Sequence, residues 1–248
     1  MFRRRLIALA LAVPLALAGL AACQASPGVA AHVGDTTITQ DRVDQVVAEV
    51  RATLSQEYES QLAAIEQAGV GQEQRDLLDQ QLTDQIAALR NQVMTMLVLT
   101  EAGSQYAAAE GLSVAPTATS DAAEALGLPA DHAYVEVYAG FLSVLNALGE
   151  VAEPGEPSEA DQREVYEHLE FQGQPLDAPF EEVQPLLTAD ALARPVGVRD
   201  LLATVIEQAD VRVQPGYELV HQVPVQVGGA TSWLAVPISE PSQVIDAG

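Results

Sequence analysis

Between Glu73 and Glu110 the apolar residues Leu78, Leu82, Ile86, Leu89, Val93 and Leu97 recur at steps of four, four, three, four and four. That spacing lays them in one stripe along a helix, with Asp79, Gln80, Asp84 and Arg90 largely on other faces. Gly111 followed by Leu112 has the form of a C′ glycine with its apolar contact, so the helix is expected to stop there. A helix this long must lean on other elements or extend as an arm. Upstream, Val43, Val46, Val47, Val50 and Leu54 keep helical spacing in a segment that fades toward Ala68-Gly69, and Thr39 is placed to cap it. Val33, Thr36 and Ile38 alternate around Gly34-Asp35, which predicts a short strand or hairpin at the start.

Downstream the pattern predicts a short helix from Asp121 to Leu126, ended by Gly127 and Pro129. A longer helix, HAYVEVYAGFLSVLNALGEV, follows with Asp131 as its cap. Its residues Tyr134, Tyr138, Phe141, Leu145 and Leu148 make one face, while Val135, Leu142 and Val144 occupy others. So wide an apolar coat belongs to a helix buried on several sides or lining a groove, and the pattern favours core packing. EPGEPSE breaks the chain, and Ser158 can cap EADQREVYEHLEF. QGQPLDAP reads as a loop, Phe180 to Leu187 as a weak helix, and Val198 to Gln208 as a stronger one on Leu201, Leu202, Val205 and Ile206. The end turns to Val and Pro, predicting a short strand at Val211 to Val213 and then extended segments around Gly228-Gly229. The expected fold class is mainly α, with a short N-terminal strand or hairpin and a Val/Pro-rich extended C-terminal segment.

The N-terminus departs from these patterns. Arg3, Arg4 and Arg5 precede an apolar run from Leu6 to Leu17, interrupted only by Pro14, and small residues follow. This is the layout of an export signal. The run is too short, and its flanks are wrong, for a stable membrane span. The chain's single cysteine, Cys23, stands at its exit. An intramolecular disulfide is impossible without a second cysteine, which leaves a metal ligand, a nucleophile or an attachment point. Leu20-Ala21-Ala22-Cys23 resembles the lipobox of bacterial lipoproteins. That resemblance implies a lipid on the Cys23 sulfur and cleavage that makes Cys23 the first residue. Residues 1–22 are then expected to be a signal peptide and 23–28 a lipidated tether. Several acyl chains, at about 0.8 kcal/mol per buried CH₂, would anchor the body to the outer face of the cell membrane.

Charge narrows the partners. The chain carries thirty-five acids, eleven arginines and no lysine, a net −24. All the acids follow Cys23 and three arginines precede it, so the body beyond the leader carries −27. Nucleic-acid affinity rests on Lys and Arg neutralising phosphates, so this surface excludes nucleic acid as a partner. The acids are dispersed and not clustered as cation ligands, which fits solubility and composition.

Candidate chemistry is sparse. His32, His132, His168 and His221 fall in different elements. His132 and Glu136 at i, i+4 could share a helix face near a metal, but no third ligand is identifiable. His168 with Glu164 or Glu167 is an ordinary pairing. No Gly-x-Ser-x-Gly, His-Glu-x-x-His, P-loop or dinucleotide fingerprint occurs. No catalytic residue, metal site or cofactor is expected.

One resemblance covers most of Val29 to Tyr217. VAAHVGDTTITQDRVDQVV is similar to the opening of SurA and PrsA-type foldases, and EAGSQYAAAEGLSVAPT looks like that family's second landmark. SEADQREVYEHL is similar to the helix leading into the family's isomerase domain, and PFEEVQPLL with LLATVIEQADVRVQPGY resembles the return from it. The ending is similar to actinobacterial lipoproteins of this group. Between them, Phe171 to Pro179 is far too short for a parvulin domain. The resemblance therefore implies a SurA-N-like helical cradle over residues 29–217, with 218–248 as an extended C-terminal segment and the catalytic module missing. It implies ATP-independent holding of unfolded or partly folded exported polypeptides, on an apolar face of Tyr134, Tyr138, Phe141 and Leu145 or on uncovered parts of the Leu78 to Leu97 stripe. Two alternatives remain at this point: a peptidyl-prolyl isomerase, and a structural envelope lipoprotein with one dedicated partner.

Overall fold

Two short strands, β1 (Val29–Val33) and β2 (Thr36–Thr39), form an antiparallel hairpin around Gly34, whose φ of 56° suits glycine. The computed structural model describes residues 28–67, 72–171, 174–175 and 178–239. Cys23 and the apolar leader lie outside the described residues. From the hairpin the chain enters α1 (Gln40–Gln67), capped by Thr39, whose Oγ accepts from the Arg42 N–H at 3.2 Å.

Helix α2 (Gln72–Glu110) has 39 residues, a length of about 58 Å. Its first half pairs with α1 in a hairpin, tied by Arg90 to Asp44 at 2.5 Å and by the Tyr58 hydroxyl to Asp79. Leu78 and Leu82 stay half-buried there and Leu77 is exposed, because a lone helix pair covers only one side of each helix. From Leu89 on, α2 enters the core, and Val93, Met94, Met96, Val98 and Leu99 are all buried. It stops at Gly111 with φ 68°, where the Leu112 N–H donates to the Ala107 carbonyl at 2.8 Å.

After α3 (Thr119–Leu126) comes α4 (Ala133–Val151), which packs along α2. The two helices pack tightly at Gly103, where a Cβ would overlap the Val144 side chain. Ten residues of α4 are buried, spread around its circumference, which is what its wide apolar coat predicts. The cap is a correction: it is His132, not Asp131. His132 Nδ1 accepts from the Tyr134 N–H at 3.1 Å, and Glu49 of α1 reaches across to accept from the Ala133 N–H at 2.9 Å. With those donors satisfied from elsewhere, Asp131 stays outside the helix.

Helix α5 (Glu159–Glu167) opens on a capping box between Ser158 and Asp161. The helix ends four residues short of the expected Phe171, and β3 (Glu170–Phe171) takes that end, pairing as a small antiparallel hairpin with β4 (Gln174–Pro175) in the expected loop. A helical turn follows, α6 (Phe180–Val183). Helix α7 (Ala189–Gln208) begins nine residues before the expected Val198. Thr188 caps an intact helix that runs through Pro195, and Gly197 serves close packing: a Cβ there would overlap the Glu153 carbonyl oxygen.

Strand β5 (Val211–Val213) returns to pair antiparallel with β1, giving a three-stranded sheet β2-β1-β5. Finally β6 (Val220–Val227) and β7 (Ala230–Pro237) form a hairpin across Gly228 and Gly229, both at positive φ. Val223, Val225, Val227, Leu234 and Val236 point from this hairpin into the main core, under α7 and α5. The C-terminal residues through Ile238 thus contribute to the helical body's core. The second sheet has the order β4-β3-β7-β6. The architecture is mainly α with two small sheets, and among the described residues no helix is long and apolar enough to cross a membrane.

Candidate functional site

A groove of about 590 Å³ opens where α2, α4 and the start of β6 meet. From α2 come Asn91, Gln92 and Met96, which fall on adjacent turns of one helix face. From α4 come Tyr138 and Phe141, three residues apart, from the C-terminal hairpin Val220, His221 and Gln222, and from the residues leading into it Glu218. Met96 and Phe141 are buried and form the floor, while Val220 is 47% exposed at the rim.

The aromatic groups are ordered in a row. Tyr134 stacks near-parallel on Tyr138 at 6.5 Å, Tyr138 lies 6.4 Å from Phe141, and Phe141 meets the His221 ring edge-on at 5.6 Å. Burial, with Tyr138 beside it, pushes the Tyr134 phenol above its ordinary value. Burial lowers the His221 pKa to about 4, so this imidazole is neutral at neutral pH. The floor is therefore apolar and uncharged, and the rim carries the amides of Asn91, Gln92 and Gln222 with the carboxylate of Glu218. Such a groove can bury apolar side chains and hydrogen-bond a peptide backbone.

The expected face of α4 does not act as one surface. Tyr138 and Phe141 border the groove, whereas Tyr134 lies in the main core with 7% exposure. Leu145 is half-buried and borders a separate groove of about 460 Å³, with Asn146 and Arg194 nearby. The helix turns this row past successive neighbours, so its members share spacing without sharing surroundings. On α2, the groove residues lie beside the Leu78 to Leu97 stripe and not on it. Their signal was the set of further apolar residues Met94, Met96, Val98 and Leu99, which spread around the helix and which a helix with one buried side would not carry. Nothing local in the sequence placed Val220 to Gln222 against them.

The histidines are otherwise engaged. His132 caps α4, and Glu136 pairs with Arg42 of α1 at 3.5 Å, which separates this pair's roles. His168 stacks on Trp233 at 3.4 Å, Glu164 accepts from the Ala235 N–H at 2.6 Å, and His32 lies 3.2 Å from the Thr37 hydroxyl. Among the described residues no three His, Cys, Asp or Glu stand together as metal ligands. No family model, curated protein or solved structure matches the chain.

Proposed function

We propose that this protein is a membrane-tethered, ATP-independent chaperone-like protein that holds extended segments of exported polypeptides, built on a SurA-N-like helical cradle without an isomerase module. The groove over Met96 and Phe141, apolar at its floor and lined with amides at its rim, is the observation that carries the reading. Each apolar client side chain buried there contributes roughly 1.5–3 kcal/mol. Association and ordering costs offset much of this, so single contacts are weak and exchange quickly. If the resemblance to the foldases holds, the short β3–β4 hairpin stands in for their isomerase, and so small an element supports a holding and not a catalytic role. The net charge of −24 would keep copies with an open groove from associating. Acylation of Cys23 would put the body at the outer face of the cell membrane, within reach of emerging chains.

The test is aggregation of a chemically unfolded client, followed by light scattering, with the purified full chain in detergent. Suppression at equimolar to few-fold excess is expected. Phe141→Ala is expected to weaken it, with circular dichroism confirming an intact fold. No suppression at several-fold excess, or measurable catalysis of proline isomerisation, would overturn the proposal. For the anchor, labelled palmitate should enter the wild-type chain and not Cys23→Ser.

A further inference from the structure

Among the described residues, no strand pairs with the outer edge of β6. The two-residue turn makes Val227 and Ala230 the first facing pair, and in such a hairpin they exchange hydrogen bonds with each other. Counting back by twos, Val225, Val223 and His221 turn their backbone groups inward to β7. Gln226, Pro224, Gln222 and Val220 turn theirs outward. Two contacts on β7 agree with this phase: outward-turned Thr231 pairs with Glu170 of β3, and outward-turned Ala235 donates to Glu164. Pro224 has no N–H to offer, a common way of guarding a sheet edge. Val220 and Gln222 carry no such guard.

The position of the groove relative to this edge is decisive. Val220, His221 and Gln222 point alternately to opposite faces of the strand, yet all three border the groove. The groove therefore runs along the edge and not beneath one face. An extended chain lying in it meets the outward N–H and C=O groups of Val220 and Gln222 on one side and the floor at Met96 and Phe141 on the other. Glu218 is the charged residue at its border, on a protein of net charge −24, so the complementary occupant is cationic.

We propose that the edge of β6 at Val220 and Gln222 takes a short extended segment of another polypeptide by strand addition, with an apolar side chain over Met96 and Phe141 and a flanking Lys or Arg against Glu218. Pro224 ends the added pairing after these positions, which keeps the client from zipping along the whole strand. The inference rests on the polypeptide-holding reading of the same groove and specifies its mode and its preference.

The experiment is fluorescence anisotropy with the full chain in detergent and a labelled ten-residue peptide carrying one Phe flanked by Lys. An analogue N-methylated at alternate backbone positions, in both phases, serves as its partner probe. Strand addition predicts that one methylation phase weakens binding by about tenfold or more while the other leaves it near wild type. Gln222→Pro should lose a similar factor, and Glu218→Lys should reverse the preference between the Lys peptide and its Asp counterpart. If Gln222→Pro fails to fold, the methylated peptides on the wild-type protein carry the test. Equal affinity of both methylation phases would overturn strand addition, and suppression of client aggregation would then still stand. Loss of both peptide binding and suppression would remove the underlying reading as well. A wild-type dimer that Gln222→Pro converts to monomer, or peptide binding that requires removal of residues 240–248, would assign the edge to a second copy or to the chain's own end and overturn the proposal.

Discussion

Acidification should destabilise this fold through His221 as pH falls below its ordinary value of 6.5. Its ring sits edge-on to Phe141, and burial sets its pKa to about 4 against an ordinary 6.5. The unfolded chain accepts a proton at the ordinary value, whereas the folded chain refuses it until about pH 4. Stability from the neutral ring is therefore complete above the ordinary value and is lost as pH falls through this window. At about 1.4 kcal/mol per pKa unit, the full window is worth up to about 3 kcal/mol, of which about 2 kcal/mol falls between roughly pH 7 and pH 5. Urea unfolding at those two pH values, on wild type and on His221→Gln, isolates the effect, because His32, His132 and His168 are common to both proteins. Wild type should lose about 2 kcal/mol more than the variant on acidification. Equal losses would show that the groove already hydrates the imidazolium, and would refute the assignment of His221 as a desolvated neutral ring.

The Ser158–Asp161–Arg199 cluster gives a second, lower window. Burial would raise the Asp161 carboxyl, but hydrogen bonds from the Ser158 N–H and hydroxyl and from Arg199 outweigh it and hold it below the ordinary 3.8. Its contribution is present above that value and lost as pH falls through the lower folded one. Asp161→Asn should cost about 1–3 kcal/mol in denaturant unfolding and flatten the acid limb, since it leaves Arg199 with Asp200 alone as its carboxylate partner and weakens the cap. Gly197→Ala should cost about 3 kcal/mol or more by driving a Cβ into the Glu153 carbonyl, measured by the same unfolding assay. Gly149→Ala, in the last turn of α4 with open space around it, should instead stabilise by about 0.5 kcal/mol.

Where local physics is self-sufficient, elements were legible in advance. The long helix reads from its apolar steps and Gly111, the first hairpin from Gly34-Asp35, and α5 from the Ser158 cap, because each signal acts within a few residues. Errors fell where distant groups intervene. Glu49 of α1 helps finish the N-terminus of α4, so the cap moves from Asp131 to His132. The Glu153 carbonyl packs on Gly197, so α7 runs through residues that the apolar pattern from Val198 leaves outside it. Neither partner is visible from the segment it corrects.

The groove shows the same division more sharply. By itself the sequence determined that α4 is apolar nearly all round and that α2 carries more apolar residues than one stripe needs, because side-chain type and helical period are local properties. Which of those residues meet solvent was decided only by tertiary structure. The β6 edge closes the groove over Met96 and Phe141 from about eighty residues beyond Phe141, and long-range packing of this kind leaves no periodic trace in the chain.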